Sequence, residues 1–332
     1  MKLLLNSAFN FTAAQRQDLQ RIAPGLAIAE QNAAKPEELD PTDVEVLVTE
    51  LVPRNLGDWT RLRWVQLLSA GSNQLLNHPI QQTAIPVTTA SGTHGVPIAQ
   101  YVTCAWLMMA HRMTQLLQFK PSRTWPNRQS LAAITLRERT VGIIGYGSIG
   151  RECARQLSAL GMRVTCQKRD PANRADSGYN AWPGTGDPDG RIPSAWYGPD
   201  QLQEMLPQCD LVVVTVPSTP QTEGMIRSRE FGWLKPGARM IIISRGGIVD
   251  ETALAAALRS GQVAEAVVDC YVREPLPPDH FFFEVPNLLM TPHMSGVYEG
   301  FWPLLIGLIS ENLRRHQSGQ SLLNLTHRQN GY

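Results

Sequence analysis

Three groups of residues in this chain could do chemistry, and each stands directly after an apolar run. The first is Gly145-x-Gly147-x-x-Gly150, which follows Val141 to Ile144. At this spacing Gly145 allows a tight turn, Gly147 lets an anion approach the backbone, and Gly150 lets a helix pack close to a strand. The N–H groups opening that helix, with the positive end of its dipole, would hold a pyrophosphate. Strand, glycine turn and helix in this order are what a dinucleotide-binding βαβ unit needs. Gly145, Tyr146, Gly147, Ser148, Ile149 and Gly150 are therefore the expected coenzyme contacts. The second is Arg245, between an apolar run and Gly246-Gly247. A planar guanidinium there can grip a carboxylate or a carbonyl oxygen through two parallel hydrogen bonds. The third is a set at two further strand ends. Asp269 closes the run Ala266 to Val268, Glu274 precedes Pro275, and His293 follows Leu288 to Met290 and Pro292. If Glu274 and His293 meet, the carboxylate favours the protonated ring. An imidazolium is a suitable general acid for a carbonyl undergoing reduction. Alone, an arginine or histidine at a strand end is more often a surface or turn residue. The weight lies in such residues at successive strand ends, where open α/β sheets bind ligands.

The elements that must position these residues follow from the apolar pattern. Val141–Ile144, Arg163–Cys166, Leu211–Val216, Met240–Ile243, Ala266–Val268 and Leu288–Met290 read as six strands, most of them separated by helical segments. That alternation predicts a doubly wound parallel sheet. Before residue 100 a smaller α/β set is expected, with strands in MKLLLNSAFNF and at Val44–Val48, Trp64–Leu68 and Ile85–Thr88. Residues 97–118 read as one long amphipathic helix bridging the two sets. A second long helix is expected at about 300–317, followed by a polar tail that returns to the first set. Residues 171–199 are rich in Gly, Pro, Asp and Asn and show no period, which reads as a solvated insertion.

At 332 residues two domains are the default. The formal net charge of +1 gives no global field toward nucleic acid or an anionic membrane. No apolar run reaches the length of a membrane span, and the N-terminus is too short in apolar core for a signal peptide. The 5 cysteines form no CxxC pair, so buried thiols in a reducing cytoplasm are expected and no metal site is.

Several blocks in a fixed order resemble the D-isomer-specific 2-hydroxyacid dehydrogenases: TVGIIGYGSIG, CDLVVVTVPSTPQTEGMI, LKPGARMIIISRGGIVDETAL, AVVDCYVREPLP and NLLMTPHMSG. The ending SENLRRHQSGQSLLNLTHRQNGY is most like the glyoxylate/hydroxypyruvate reductase branch. The resemblance implies two doubly wound α/β domains joined by long helices. A Rossmann coenzyme domain, 101–294, would be inserted in a flavodoxin-like substrate domain, 1–100 completed by 295–332. It implies Arg245 as the group that binds and polarises the substrate, His293 as proton donor and acceptor, and Glu274 as the acid that orients the histidine. It implies Asp269 near the nicotinamide carboxamide, and Pro217, Thr222, Ser244, Arg245 and His293 as further coenzyme contacts. In Gln66-Leu-Leu-Ser-Ala-Gly-Ser72 it implies Ala70 and Gly71 as amides holding the substrate carboxylate. Ser91-Gly-Thr-His-Gly95 resembles the segment leading into the bridging helix, although Gln100 stands where the family usually has Glu. A homodimer and a small 2-keto or 2-hydroxy acid substrate are also implied. The same fold serves formate- and phosphite-type dehydrogenases, and it could serve a nucleotide sensor without turnover.

The coenzyme's phosphate state turns on the strand Met162 to Asp170. NAD-preferring members carry an acidic residue at its end. Here Lys168 and Arg169 occupy that place, and cations would attract a 2′-phosphate. NADP(H) is therefore favoured, with NAD(H) possible through Asp170 after a two-residue shift.

Overall fold

The computed structural model describes residues 1–326. Residues 327–332, the end of the tail segment cited above, lie outside the described residues. The chain forms two compact units. Unit 1 takes Met1–His94, Gly178–Pro183 and the chain from Tyr298 onward; unit 2 takes Gly95–Ser177 and Gly184–Val297.

Unit 1 is built on five parallel strands: β1 (Lys2–Asn6), β2 (Ala27–Gln31), β3 (Val46–Thr49), β4 (Trp64–Leu67) and β5 (Val87–Thr88), in the order β2-β1-β3-β4-β5. The alternation along β1 decides which face each residue covers. Leu3 and Leu5 pack with Leu19 of α1 (Ala13–Ile22) and with Leu305 and Leu308 of the C-terminal helix (Phe301–Gln317). Leu4 packs on the other face with Leu47 and Val65. Thr12 and Gln15 close a capping box at the start of α1. The tail does return to this unit: Thr326 N donates to Val87 O at 2.9 Å.

Unit 2 holds seven strands: β6 (Thr140–Ile144), β7 (Arg163–Gln167), β8 (Ala195–Tyr197), β9 (Leu211–Val214), β10 (Ala238–Ile242), β11 (Val263–Val268) and β12 (Leu288–Met290). Their order is β12-β11-β10-β9-β6-β7-β8, and all pairs are parallel. The order reverses at β6, between β7 and β9, which is where a doubly wound sheet opens a crevice for ligands. Its central strands are buried on both faces, as parallel sheets require. Ile144, Val214 and Ile242 pack on one side, and Ile143, Val213 and Ile241 on the other.

Three features depart from the sequence reading. The bridging helix, α2 (Gly95–Ala110), is shorter than 97–118. Arg112 takes φ 54°, a left-handed conformation that ends the helix, and two short helices follow, α3 (Met113–Leu116) and α4 (Phe119–Ser122). Edge strands β2 and β8 were not expected, because neither carries a strong apolar run. Residues 171–199 are largely exposed, as a solvated insertion would be, but they also supply β8 and a set of buried polar contacts around Asp187.

Candidate active site

The glycine loop is shaped as its spacing predicts. Gly145 has φ +97°, and a Cβ there would lie 2.9 Å from Val216 N. A Cβ on Gly150 would lie 2.2 Å from Gly145 O, so only glycine lets α5 (Ser148–Ala159) pack this closely. A Cβ on Gly147 would meet nothing within 4 Å, so that side of the backbone before the helix faces open space. Gly147 is also the N-cap, and it has no side chain to occupy the first N–H groups of α5. These residues fit a dinucleotide pyrophosphate, and Ser148, Ile149 and Gly150 open the helix toward it. The Tyr146 side chain is turned inward. It is 2% exposed, and its hydroxyl donates to Asp187 at 2.7 Å.

At the end of β7, Lys168 Nζ donates to Asn173 O, and Arg169 is exposed. Partial burial, and then the nearby Arg151 guanidinium, hold the Lys168 ammonium below the ordinary lysine range. Asp170 is engaged elsewhere: its carboxylate accepts from Ala172 N at 3.1 Å and from Asn173 N at 3.4 Å. After β9, the Thr222 hydroxyl donates to Pro217 O at 2.6 Å and closes that loop on itself.

Register places the remaining residues on adjacent strand ends. Ile242 pairs with Val268, and Val268 pairs with Met290, so the ends of β10, β11 and β12 lie abreast. Neighbouring strands are about 4.8 Å apart, which places the outer two of these ends about 10 Å apart. Arg245 follows β10, Asp269 and Glu274 follow β11, and His293 follows β12. The loop carrying Arg245 is pressed on the one carrying Glu274: a Cβ on Gly246 would lie 2.0 Å from Tyr271 O. Cys270 lies among these groups. Burial pushes its thiol up to about 12, and the charges of Arg245, Asp269 and Glu274 all act on it. Ser244 is buried beside it, and Arg245 Nη1 donates to Ser244 O at 2.8 Å.

Glu274 and His293 meet. His293 Nδ1 lies 2.8 Å from Glu274 Oε2, and the side chains keep 40% and 38% exposure respectively. A carboxylate has no proton to give, so Nδ1–H donates and Nε2 is left for a reacting group. The other carboxylate oxygen of Glu274 accepts from Tyr271 N at 2.9 Å, which fixes the acid in turn. His293 itself takes φ 54°, a conformation that costs a non-glycine residue about 1–3 kcal/mol.

Asp269 supplies the compensation. It is 1% exposed and accepts from Met294 N at 2.8 Å, Ser295 N at 2.9 Å and the Thr291 hydroxyl at 2.5 Å. The hydroxyls of Thr291 and Tyr101 are 2.6 Å apart. Since Thr291 spends its one proton on the carboxylate, Tyr101 of α2 must be the donor of that contact. Burial pushes the Tyr101 phenol up to about 12, so it keeps the proton it donates. The carboxylate of Asp269 thus holds the loop that carries His293. Thr291 lies in the block NLLMTPHMSG but was given no role there, Tyr101 belongs to no motif, and only their contacts reveal what they do.

Ala70 and Gly71 belong to unit 1, on the loop after β4, where the Ser69 hydroxyl donates to Gly71 O at 2.8 Å.

A parallel, doubly wound sheet with an open glycine loop at its reversal and an Arg, Glu and His at strand ends defines a dinucleotide-dependent oxidoreductase class. The family profile described as D-isomer specific 2-hydroxyacid dehydrogenase, NAD binding domain, matches residues 104–295. The (S)-sulfolactate dehydrogenase of Chromohalobacter salexigens is 31% identical over 76% of this chain and 77% of its own length. Glyoxylate/hydroxypyruvate reductase A of Citrobacter koseri is 28% identical over 95% of this chain and 94% of its own. A D-isomer specific 2-hydroxyacid dehydrogenase from Xanthobacter autotrophicus Py2, solved in complex with NADPH and MES, superposes with a TM-score of 0.83 at 28% identity, covering 100% of this chain and 99% of that one. The chain belongs to the D-isomer specific 2-hydroxyacid dehydrogenase family. It is an NAD(P)-dependent oxidoreductase acting on small hydroxy acids and their keto forms. Among the described residues no helix is long and apolar enough to cross a membrane.

Proposed function

We propose that this enzyme is an NADPH-preferring reductase of short 2-keto acids, of the glyoxylate or hydroxypyruvate type. The observation that carries the reading is the His293–Glu274 hydrogen bond at 2.8 Å, which fixes the ring and leaves Nε2 for a substrate oxygen. The nicotinamide coenzyme, when bound, supplies a hydride to the carbonyl carbon. The Arg245 guanidinium holds the substrate carboxylate and polarises the keto oxygen. His293 Nε2 gives its proton to the emerging alkoxide, and Glu274 steadies the ring through that transfer. Asp269 keeps the His293 loop in place beside the expected carboxamide position. In unit 1, the assignment of Ala70 and Gly71 to the substrate carboxylate rests on the family resemblance.

Three observations support NADPH over NADH. Lys168 and Arg169 stand at the end of β7, the Asp170 carboxylate is taken by two backbone N–H groups, and the Xanthobacter relative was solved with NADPH. A homodimer is supported by apolar side chains left exposed after α2, with Trp125 at 75% and Leu117 at 60% exposure. A cytoplasmic location agrees with 5 cysteines that are all free.

Loss of NADPH absorbance on adding glyoxylate or hydroxypyruvate tests the reading, with sulfolactate, formate and phosphite in the same panel under NADP. Turnover of the two keto acids supports it. Turnover of formate or phosphite alone, or NADPH binding with no turnover of any 2-keto acid, contradicts it.

A further inference from the structure

The insertion left unexplained by its composition is joined to the glycine motif through Tyr146 and to the two residues that follow it, Arg151 and Glu152. Tyr146, the first variable residue of the motif, sends its hydroxyl to Asp187 Oδ2 at 2.7 Å. Asp187, 6% exposed, also accepts from Arg191 N at 2.9 Å and Ile192 N at 3.1 Å. Arg151, the first residue after the motif, is 2% exposed and donates to the carbonyls of Asp187 at 2.5 Å and Arg174 at 2.8 Å. Its guanidinium lies 4.9 Å from the centre of the Tyr146 ring, and its Nε is 3.5 Å from Asp176. The next residue, Glu152, accepts from Gly186 N at 2.7 Å. The Trp196 ring of β8 also packs edge-on against Tyr146, with ring centres 5.0 Å apart.

We propose that the unit 2 parts of the insertion, residues 171–177 and 184–193, are a fixed brace for the glycine loop, with Asp187 and Tyr146 as positioning residues for the coenzyme. The reason is conformational. A loop of glycines is the part of the backbone with most freedom to lose, and its N–H groups must all point at one pyrophosphate. Buried charges such as Arg151, Glu152 and Asp187 are a poor route to stability alone, because apolar residues of similar volume serve as well. Here they fix one geometry: three residues of GYGSIGRE are tied to the insertion, and the insertion is tied to itself through Asp187.

The inference rests on the glycine loop being the coenzyme site. Y146F keeps the buried ring and removes only the hydroxyl; D187N keeps the shape and removes the charge. Both are made in the full-length enzyme, and NADPH affinity by fluorescence titration, KM and kcat for NADPH, and Tm are measured. Y146F is expected to weaken NADPH binding and raise its KM about tenfold, with kcat and the keto-acid KM little changed. D187N is expected to do the same more strongly. A drop in Tm with unchanged NADPH affinity and KM in Y146F overturns the brace, whether or not D187N folds. Failure of the parent enzyme to bind either nicotinamide coenzyme overturns instead the reading of the glycine loop.

Discussion

At the end of β6, the side chains flanking the glycines are buried, with Tyr146 and Arg151 at 2% and Glu152 at 1% exposure. At the ends of β11 and β12, Glu274 and His293 keep 38% and 40% of their side chains open. In the proposed reading the first region presents backbone to its ligand and uses side chains to hold that backbone still. In the same reading the second presents side chains, aimed by the left-handed backbone at His293 and the buried Asp269 carboxylate. Substitutions in the first region should therefore move binding, and substitutions in the second should move turnover.

The sharpest contrast comes from His293→Ala. Loss of the proposed proton donor should lower kcat about a thousandfold while NADPH affinity stays close to the parent value. Parallel stopped-flow and titration measurements check it, and retained turnover would mean that another group gives the proton. Arg245→Ala comes next. It should lower kcat/KM for the keto acid about a hundredfold through the lost bidentate contact, read from initial rates across a substrate series. Thr291→Val removes one of the three donors to Asp269 and loosens the hold on the His293 loop. A fall in kcat of about tenfold is expected, with Thr291→Ser restoring most of it and NADPH affinity unmoved. Equal loss in the Val and Ser variants would show that packing, not the hydroxyl, matters. The smallest effect is that of Lys168→Asp. It should lower the ratio of kcat/KM with NADPH to that with NADH about fivefold, as suits a partly exposed charge, and an unchanged ratio would remove Lys168 from coenzyme choice.

How much of this was legible in the sequence follows the same contrast. Spacing alone marks the glycine loop, because the turn, the anion approach and the helix packing are each local demands on the backbone. The three strand ends were legible because a parallel sheet puts every strand's C-terminal end on one edge. What spacing does not carry is contact between distant residues. Tyr101 and Thr291 are 190 positions apart, and Tyr146 and Asp187 are 41. The end of α2 was hidden as well. Leu116, Leu117 and Phe119 continue the apolar content of the helix, yet they are exposed beyond the left-handed Arg112. The strand β8 was missed because Ala195–Tyr197 is a short edge strand within a Gly- and Pro-rich segment.

A crystal structure with NADP and a non-reactive 2-hydroxy or 2-keto acid analogue tests the assignment at its centre. The analogue's carboxylate is expected on the Arg245 guanidinium and its C2 oxygen about 3 Å from His293 Nε2, with Nδ1 still held by Glu274. An analogue bound beside the coenzyme with His293 Nε2 turned away from it would contradict the account.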